Sequence, residues 1–388
     1  MRLCVGQALG AIVAGSFDIA LIVTWWSAAR YLWPTGSVEF PGTEETVMRR
    51  RLTILAAMMI TVGSLIVGAS SSSAAPHRAT GRDHGSTFAV IGDIPYGAAE
   101  IAQFPAVVDQ INSDPSVSWV VHLGDIKNGS SVCSDDYFAM IKKDFDGFAD
   151  PLVYTVGDNE WTDCHRPNNG SYNPLERLSK VRQVFFARPG FTLGRPERVD
   201  SEAAAGYPEN VRFVRSGVSF AAVHIVGSNN SMAPWTGNQA PTPDQTAEVL
   251  GRTASDVAEI RAAFATARRG HLSAVVLLTQ ADMFDPTATN PAFADYYAFQ
   301  PVVQAIAAEA ATFRRPVYLF NGDSHVYNSD RPLAPGSAWL DFYHVSAPAR
   351  NLSRVTVDGS DNAKDYLRVR IDPTDRQVLS WNRVPFTS

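Results

Sequence analysis

The sequence predicts an α/β fold, because short apolar segments typical of buried strands alternate with segments of helical periodicity. Three of the apolar segments end in the pair Gly-Asp, at Gly92-Asp93, Gly124-Asp125 and Gly157-Asp158. Successive aspartates are roughly 30 residues apart, close to the length of a strand–helix–strand unit. Because the parallel strands of such units end at the same edge of a sheet, the three carboxylates are expected to meet there.

The other elements follow the same alternation from residue 87 onward. Strands are predicted at 87–91, 118–123, 152–156, 211–214, 218–226, 274–279, 317–320 and 366–371. Helices are predicted at 99–112, 136–148, 244–269 and 301–313 from their apolar spacing. The segment 168–209 is rich in Arg, Pro and Gly, and is expected to form loops and short helices over one end of the site.

The composition is that of an ordinary globular protein with a sizeable core. The chain has 388 residues, of which 45% are hydrophobic and 19% are charged. Its formal net charge is -6, and neither sign forms a long run. Lys and Arg are not clustered as they are on a nucleic-acid-binding surface. We therefore expect a small-molecule partner and no nucleic acid.

Residues 48–75 have the order of regions that is typical of a secretory signal. The positive segment Met48-Arg49-Arg50-Arg51 precedes an apolar stretch that reaches Ala69, and a small-residue segment follows. Because the apolar stretch is long, we interpret 48–75 as a signal peptide or an uncleaved signal anchor. The protein is expected to be secreted or extracytoplasmic, in the periplasm or at the cell surface. It would contact a membrane only if this segment is retained.

The domain organisation follows from this signal. Residues 1–47 are a doubtful N-terminal extension, whose apolar stretch 9–26 is either a transmembrane helix or lies upstream of the true start at Met48. Residues 76–86 are polar and are predicted to be a flexible linker. The remainder, 87–388, is predicted to be one folded domain.

Cys133 and Cys164 are the two cysteines of the exported part. In an oxidising compartment such a pair is usually a disulfide, although two free thiols or a metal-binding pair are the alternatives. A disulfide would close a loop of about 30 residues and stabilise the fold by roughly 3 kcal/mol in the loop-entropy model.

The three strand-end aspartates indicate a bound metal. Like charges do not share a dry crevice without a cation, and carboxylate oxygens are the ligands that hard divalent ions prefer. The alternative is that each aspartate only caps a helix or stabilises a turn, as is common after strands. Three of them in register favour the metal site.

The strand-end motifs, taken in order, resemble those of the calcineurin-like metallophosphoesterase family. They are Gly92-Asp93, Gly124-Asp125, Gly157-Asp158-Asn159-Glu160, Gln280 and Gly322-Asp323-Ser324-His325. The family shows Asp-x-His, Gly-Asp, Gly-Asn-His-Glu, a lone His and Gly-His-x-His at these places. The resemblance covers about residues 87–330 and implies that 87–388 is a metallophosphoesterase-like domain. Its α/β fold would then be a four-layer sandwich, with two mixed β-sheets flanked by helices.

The resemblance also implies a metal-binding role for each matching residue. Asp93 and His325 would bind the first metal, and Asp125 would bridge both metals. Three further positions carry a different but still metal-binding side chain. They are Asp158 in place of Asn, Gln280 in place of the lone His, and Asp323 in place of the first His of Gly-His-x-His. The mostly oxygen ligands favour two divalent ions, Mn, Mg or Fe rather than Zn.

Two departures from the family affect the chemistry. Pro95 replaces a metal-binding His, and Asn159 replaces the His that protonates the leaving group. The implied reaction is attack on a phosphate ester by a hydroxide that bridges the metals. Asn159 would orient the phosphoryl group, and water or His165 would protonate the leaving oxygen. His165 is also compatible with an ordinary surface position in its loop.

Three loop residues at the same edge are candidates for substrate binding: Tyr96, Asn128 and Asn229. The two asparagines could instead only stabilise turns. The predicted function is that of a secreted, metal-dependent phosphoesterase acting on a small phosphorylated substrate. The alternative is a catalytically impaired binding protein of the same fold at the cell surface.

Overall fold

Two mixed β-sheets make up the centre of the described part of the chain. A computed structural model describes residues 85–387, so the predicted extension, the signal segment and nearly all of the linker lie outside the described residues. The strands are β1 (Thr87–Ile91), β2 (Val117–His122), β3 (Pro151–Tyr154), β4 (Leu193–Gly194), β5 (Asp200–Glu202), β6 (Tyr207–Arg215), β7 (Val218–Ala222), β8 (Ala274–Leu278), β9 (Val317–Asn321), β10 (Asn328–Asp330), β11 (Leu352–Thr356), β12 (Asp365–Ile371) and β13 (Leu379–Pro385).

The strand order places the ends of the parallel strands side by side. The first sheet has the order β13-β12-β1-β2-β3-β4, and the second has the order β10-β11-β9-β8-β7-β6-β5. In the first sheet β1, β2 and β3 are parallel, and in the second β7, β8, β9 and β11 are parallel. Since the carboxyl ends of parallel strands share an edge, the loops that follow these strands are brought together.

Helices cover the outer faces of both sheets. The helical segments are α1 (Gly97–Asn112), α2 (Asp135–Asp146), α3 (Pro174–Phe185), α4 (Gly227–Asn230), α5 (Pro243–Arg269), α6 (Gln300–Phe313) and α7 (Ala338–Phe342). Among these, α4 is a short turn with left-handed residues that lies beside Asp158 rather than on an outer face. The longest, α5, begins with a capping box in which the side chains of Thr242 and Gln245 each bond the other's backbone N–H. Within residues 85–387, no helix has the length and apolar character needed to cross a membrane.

Three apolar clusters hold the layers together. One packs α1, α2 and α3 on the first sheet, another packs α5 and α6 on the second sheet, and the third lies between the two sheets. The rings of Phe88 and Trp119 stack in this middle layer, with their centroids 4.2 Å apart. Burying such rings is among the larger single contributions to a core, on the order of 3 kcal/mol each.

Strand β1 shows why the apolar runs are continuous rather than alternating. Phe88 and Val90 point into the layer between the sheets, whereas Ala89 and Ile91 point toward the helices. Because both faces of the strand are covered, every one of these positions is apolar. The predicted four-layer sandwich of two mixed sheets flanked by helices is therefore confirmed.

Candidate metal centre

Five of the predicted metal ligands follow the carboxyl ends of four parallel strands. Asp93 follows β1, Asp125 follows β2 and Asp158 follows β3 in the first sheet, while Asp323 and His325 follow β9 in the second. The sheet topology thus brings together side chains that are more than 200 residues apart in the chain. Tyr96 also reaches the group, since its hydroxyl donates to Asp125 Oδ2 at 2.9 Å and lies 3.4 Å from His325 Nε2.

These ligands form two overlapping groups that share one residue. Asp93, Asp125 and His325 offer atoms that lie within 4.8 Å of one another, and so do Asp125, Asp158 and Asp323. The ligand atoms of each group are close enough together to bind one metal ion, and Asp125 belongs to both groups. This is the position that the resemblance implies for a carboxylate bridging two metals.

The backbone at four of these residues is left-handed. The φ angles are 53° at Asp93, 55° at Asp125, 74° at Asp323 and 59° at His325. This conformation costs a residue other than glycine about 1–2 kcal/mol, and such strain clusters at functional sites. The left-handed turns at the strand ends therefore lower the stability of the fold somewhat, and they direct these side chains toward one another.

Two glycines of the Gly-Asp pairs make room for carboxylates from neighbouring strands. A Cβ atom on Gly157 would collide with the Asp125 carboxylate, and one on Gly322 would collide with the Asp93 carboxylate. Gly359 is close to Asp93 in the same way. At Gly157, Gly322 and Gly359 the space that a side chain would occupy is thus filled by acidic groups of the cluster, which explains the need for glycine at these three positions.

The electrostatics of the cluster call for a cation. Burial, followed by the neighbouring carboxylates, holds the pKa of Asp93 and of Asp125 well above its usual range, and the same causes raise the pKa of Asp323. Asp93 Oδ2 is fully buried and has no hydrogen-bond partner among the described residues. A bound divalent ion would satisfy this oxygen and relieve the repulsion, so the residues fit the metals that the resemblance implies.

The charge balance agrees with two divalent ions. Two other carboxylates around the cluster form ion pairs with arginines, Asp163 with Arg166 and Asp282 with Arg354. Glu160 and the buried Lys127 cancel in net charge without forming an ion pair. The four remaining aspartates are those of the two ligand groups. Two divalent ions carry the charge that would neutralise four carboxylates.

Gln280 lies at the cluster, but the prediction that it supplies an oxygen ligand needs a correction. Its Oε1 accepts a hydrogen bond from the Gly227 N–H at 2.7 Å, and its Nε2 donates to Asp158 Oδ1 at 3.3 Å. If the side-chain amide were flipped by 180°, its NH₂ group would face the Gly227 N–H, and two donors would oppose each other. The orientation of the Gln280 amide is therefore fixed. Gln280 therefore holds Asp158 in place and presents a nitrogen, not an oxygen, to the cluster.

Asn159 and Tyr96 form a pair of donors against the shared carboxylate. The Asn159 amide nitrogen lies 2.8 Å from Asp125 Oδ2 and 2.9 Å from the Tyr96 hydroxyl oxygen. The Asn159 backbone N–H also donates to Asp125 Oδ1 at 3.2 Å. Both side chains can offer hydrogen bonds at the place where the two ligand groups meet. An amide has no titratable proton, so the Asn159 side chain can donate hydrogen bonds at this place but cannot act as a general acid.

His165 is not joined to this cluster by any hydrogen bond among the described residues. Its Nδ1 lies 2.7 Å from Thr236 Oγ1 and accepts the Thr236 N–H at 2.9 Å. Burial, together with the nearby Arg166, lowers the pKa of His165 to about 4. The imidazole is therefore neutral at pH 7, and its role as a proton donor stays a prediction.

The two asparagines that were predicted to bind substrate differ in how many of their side-chain donors and acceptors are already hydrogen-bonded. The Asn229 amide bonds the backbone of the segment that covers the site, donating to Ala294 O and accepting from the Ala298 N–H. Asn229 also lines a cavity beside the cluster, so its role in substrate binding stays a prediction. The Asn128 side chain accepts hydrogen bonds from the Ser130 backbone and from two serine hydroxyls through Oδ1, which stabilises a turn. Its amide nitrogen has no partner among the described residues.

Two residues that stabilise the site were not singled out from the sequence. Glu160 Oε1 accepts from the backbone N–H of Asp125 at 3.2 Å and of Gly157 at 2.6 Å, and from the Tyr154 hydroxyl. The Ser228 hydroxyl lies 2.9 Å from Asp158 Oδ2. Ser228 directly follows Gly227, which comes just after the predicted strand 218–226. This position was the only sign in the sequence that Ser228 could reach the site.

The predicted disulfide between Cys133 and Cys164 is present. It is fully buried and joins the loop after β2 to the segment that follows Asn159. Both sulfurs lie near the Asn159 carbonyl oxygen, at 3.6 Å and 3.7 Å. The crosslink thus lies directly behind a candidate catalytic residue.

A cavity of about 260 Å³ opens beside the second ligand group. Its lining includes Asp323 and Ser228, which belong to or contact the second ligand group, and the rings of Tyr296 and Phe299. This volume is enough for a small substrate group next to the cluster. The segment that Asn229 holds forms part of the wall, which gives that residue an indirect connection to substrate binding.

Comparisons with known proteins agree with the motif order. The family model of calcineurin-like phosphoesterases matches residues 86–235, which includes Asp93, Asp125, Asp158 and Asn159. A solved structure described as "GAP50 the anchor in the inner membrane complex of Plasmodium" is similar at 8% sequence identity and a TM-score of 0.41. That similarity covers 78% of this chain and 90% of the other. No curated protein matches the sequence. Residues 86–235 of the chain therefore match the calcineurin-like phosphoesterase family, which is the family that the strand-end motifs resemble.

Proposed function

We propose that this protein is a metal-dependent phosphoesterase that acts on a small phosphorylated substrate outside the cytoplasm. The observation that carries the proposal is the pair of ligand groups that share Asp125. One metal ion would be held by Asp93, Asp125 and His325, and a second by Asp125, Asp158 and Asp323. When bound, such ions polarise a phosphoryl oxygen and make a nucleophile available from water at neutral pH.

The chain's own residues would orient the substrate. The Asn159 amide and the Tyr96 hydroxyl lie where the two ligand groups meet, so both can donate hydrogen bonds to a phosphoryl oxygen. Gln280 and Ser228 keep Asp158 in position from behind. The fixed donors and the buried carboxylates are preorganised, which is the main way that such a site stabilises a transition state.

The leaving group would depart with little help from the protein. Asn159 occupies the place of the proton donor and has no proton to give, and His165 is neutral and bonded to Thr236. The loss of a general acid typically slows a reaction by about 10²–10⁴-fold, and less when the leaving group is a weak base. We therefore expect aryl phosphates to be hydrolysed much faster than alkyl phosphates.

The donor set supports Mn, Mg or Fe rather than Zn as the bound metals. Four carboxylates and one imidazole form the two groups, and these mostly oxygen ligands suit harder ions. The buried Cys133–Cys164 disulfide is compatible with an oxidising compartment. Export would depend on the signal at 48–75.

The first test is metal content together with hydrolysis of a generic aryl phosphate such as p-nitrophenyl phosphate with added Mn²⁺. Asp125→Asn removes the shared carboxylate, so the variant should lose both metals and hydrolyse at least 10³-fold more slowly. Asp109→Asn, an exposed aspartate on α1, is the matched control and should retain both properties. Full activity of Asp125→Asn would rule out the proposed site.

The observation at Asn159 also favours a second candidate function, a binding protein of the same fold with impaired catalysis. Such a protein would still take up metal, because the ligand groups do not depend on a proton donor. It is supported if the wild-type protein binds Mn²⁺ but hydrolyses aryl phosphates no faster than a metal blank. A wild-type rate well above that blank excludes it.

A further inference from the structure

A buried lysine beside the cluster has no part in the reaction proposed above. Lys127 lies in the loop after β2, two residues beyond Asp125, and its side chain is fully buried. A lysine is almost never fully buried unless its ammonium group is satisfied, because desolvating the charge is costly. Its contacts therefore show what the charge does for this site.

The Lys127 ammonium group holds the backbone that carries Asn159. It donates to the Asn159 carbonyl oxygen at 2.8 Å and to the Asn128 carbonyl oxygen at 2.9 Å. The disulfide sulfurs lie against the same Asn159 oxygen. Since the Asn159 N–H and side-chain amide both bond Asp125, fixing this peptide also fixes the donor above the ligand groups.

The charged group of Lys127 forms no ion pair with any one carboxylate among the described residues. Among the described residues no carboxylate oxygen lies within ion-pair distance of its nitrogen, but Glu160, Asp125, Asp163 and Asp158 all act on it electrostatically. In a buried site such interactions extend beyond direct contact, because little water screens them. The ammonium therefore adds positive potential to the whole cluster.

We propose that Lys127 is a positioning residue and a fixed counter-charge for the candidate metal centre. It holds Asn159 in place, weakens the binding of divalent cations, and strengthens the binding of the phosphoryl anion. The proposal rests on the metal centre of the proposed function, and it adds a residue that sets the balance between metal and substrate affinity. A neutral residue at 127 would shift this balance toward the metal.

The test compares wild type with Lys127→Met, which keeps the length of the side chain and removes its charge. Mn²⁺ affinity is measured by calorimetry on the full chain after chelator treatment, and inorganic phosphate affinity on the Mn²⁺-loaded protein. We expect Mn²⁺ to bind about tenfold more tightly and phosphate about tenfold more weakly in the variant. A loss of fold would weaken both, so shifts in opposite directions report the charge itself.

Two further variants make the result decisive. Lys142→Met removes a lysine on α2 that pairs with Asp146, and it should leave both affinities unchanged. Lys127→Gln keeps a donor for the carbonyls without the charge, and it should raise Mn²⁺ affinity even if the Met variant does not fold. Unchanged or weaker Mn²⁺ binding in a folded neutral variant overturns the proposal.

This outcome is separate from that of the proposed function. If wild type binds Mn²⁺ but hydrolyses no phosphate ester, the phosphoesterase proposal fails while the comparison of affinities still decides the role of Lys127. If wild type hydrolyses aryl phosphates and the neutral variants show unchanged Mn²⁺ affinity, only the Lys127 proposal fails.

Discussion

Tyr96 and Asn159 together place two hydrogen-bond donors against one oxygen of Asp125. Tyr96 follows Pro95, the position at which the family has a metal-binding histidine, so a hydroxyl enters the cluster where an imidazole is absent. Burial and the nearby Asp125 and Asp93 carboxylates raise the pKa of Tyr96 well above its usual range. The hydroxyl therefore keeps its proton at neutral pH in the metal-free protein and can act as a donor.

At this scale we predict the effect of removing the hydroxyl. Tyr96→Phe should lower kcat/KM for an aryl phosphate by about 10- to 100-fold, because a hydrogen bond to a charged group contributes about 1.5–3 kcal/mol. Tyr366→Phe is the matched control, since that hydroxyl bonds Asp114 and does not contact the ligand groups. Equal rates for the two variants would remove Tyr96 from the proposed mechanism.

At the scale of elements, Glu160 joins the loops after β2 and β3. One of its oxygens accepts the N–H groups of Asp125 and Gly157 and the hydroxyl of Tyr154. These loops carry Asp125 and Asp158, so this carboxylate, together with the Asn159 hydrogen bonds to Asp125 and the disulfide, sets the separation of the two aspartates. A side chain in the family motif that does not itself touch the metal can thus determine the geometry of the site.

Removing this link should reduce stability as well as metal binding. Glu160→Ala would leave two N–H groups and one hydroxyl unsatisfied in a buried site, at a cost of about 3–5 kcal/mol. Urea unfolding of the chelator-treated chain measures this loss without contribution from the metal. Glu197→Ala, which removes a half-exposed partner of Arg215, should cost less than about 1 kcal/mol. A similar loss in both variants would contradict the role given to Glu160.

For the whole molecule, the two sheets jointly create the charge at their common edge. Asp93, Asp125 and Asp158 come from the first sheet, and Asp323 comes from the second. The repulsion between these carboxylates therefore acts across the interface of the sheets. Metal binding should oppose it and couple the two halves of the sandwich.

The stability of the fold should therefore depend on pH, and the direction of this dependence follows from the pKa shifts of the buried groups. The pKa values of Asp93, Asp125 and Asp323 are raised in the folded protein, so folding favours their protonated forms. This stabilises the metal-free fold fully below about pH 4, and the stabilisation is lost as the pH rises through the raised pKa values. Buried His122, whose pKa is lowered to about 4, acts in the opposite sense, because acidification forces it to become charged. Absolute stability therefore mixes the two effects.

The difference between metal-loaded and metal-free protein isolates the aspartates. Protons and metal compete for the same oxygens, so stabilisation by Mn²⁺ should grow from pH 5 to pH 8, by about 1.4 kcal/mol per pH unit for each proton displaced. Urea midpoints with Mn²⁺ and with chelator, taken at each pH, measure this difference. Stabilisation that is independent of pH would contradict the assignment of these carboxylates as ligands.

Much of this architecture was predictable because it depends on local sequence and on simple topology. Strand periodicity, followed by Gly-Asp, indicated where each chain segment turns, and parallel strands necessarily bring Asp93, Asp125 and Asp158 to one edge. The motif order extended this to Asp323 and His325. The pairing of Cys133 with Cys164 was predicted from the cysteine count together with the expected export, and the structure confirms the disulfide.

Contacts between distant residues decided the rest. Gln280 faces the cluster with its nitrogen because its oxygen accepts a hydrogen bond from the Gly227 N–H of another loop. Nothing in the sequence singles out Lys127, and only the packing of the Asn159 segment against it buries its ammonium group. Local pattern determines which residues reach the edge of the sheets. The orientation of each polar side chain there is set by partners that only the folded chain brings within hydrogen-bond distance.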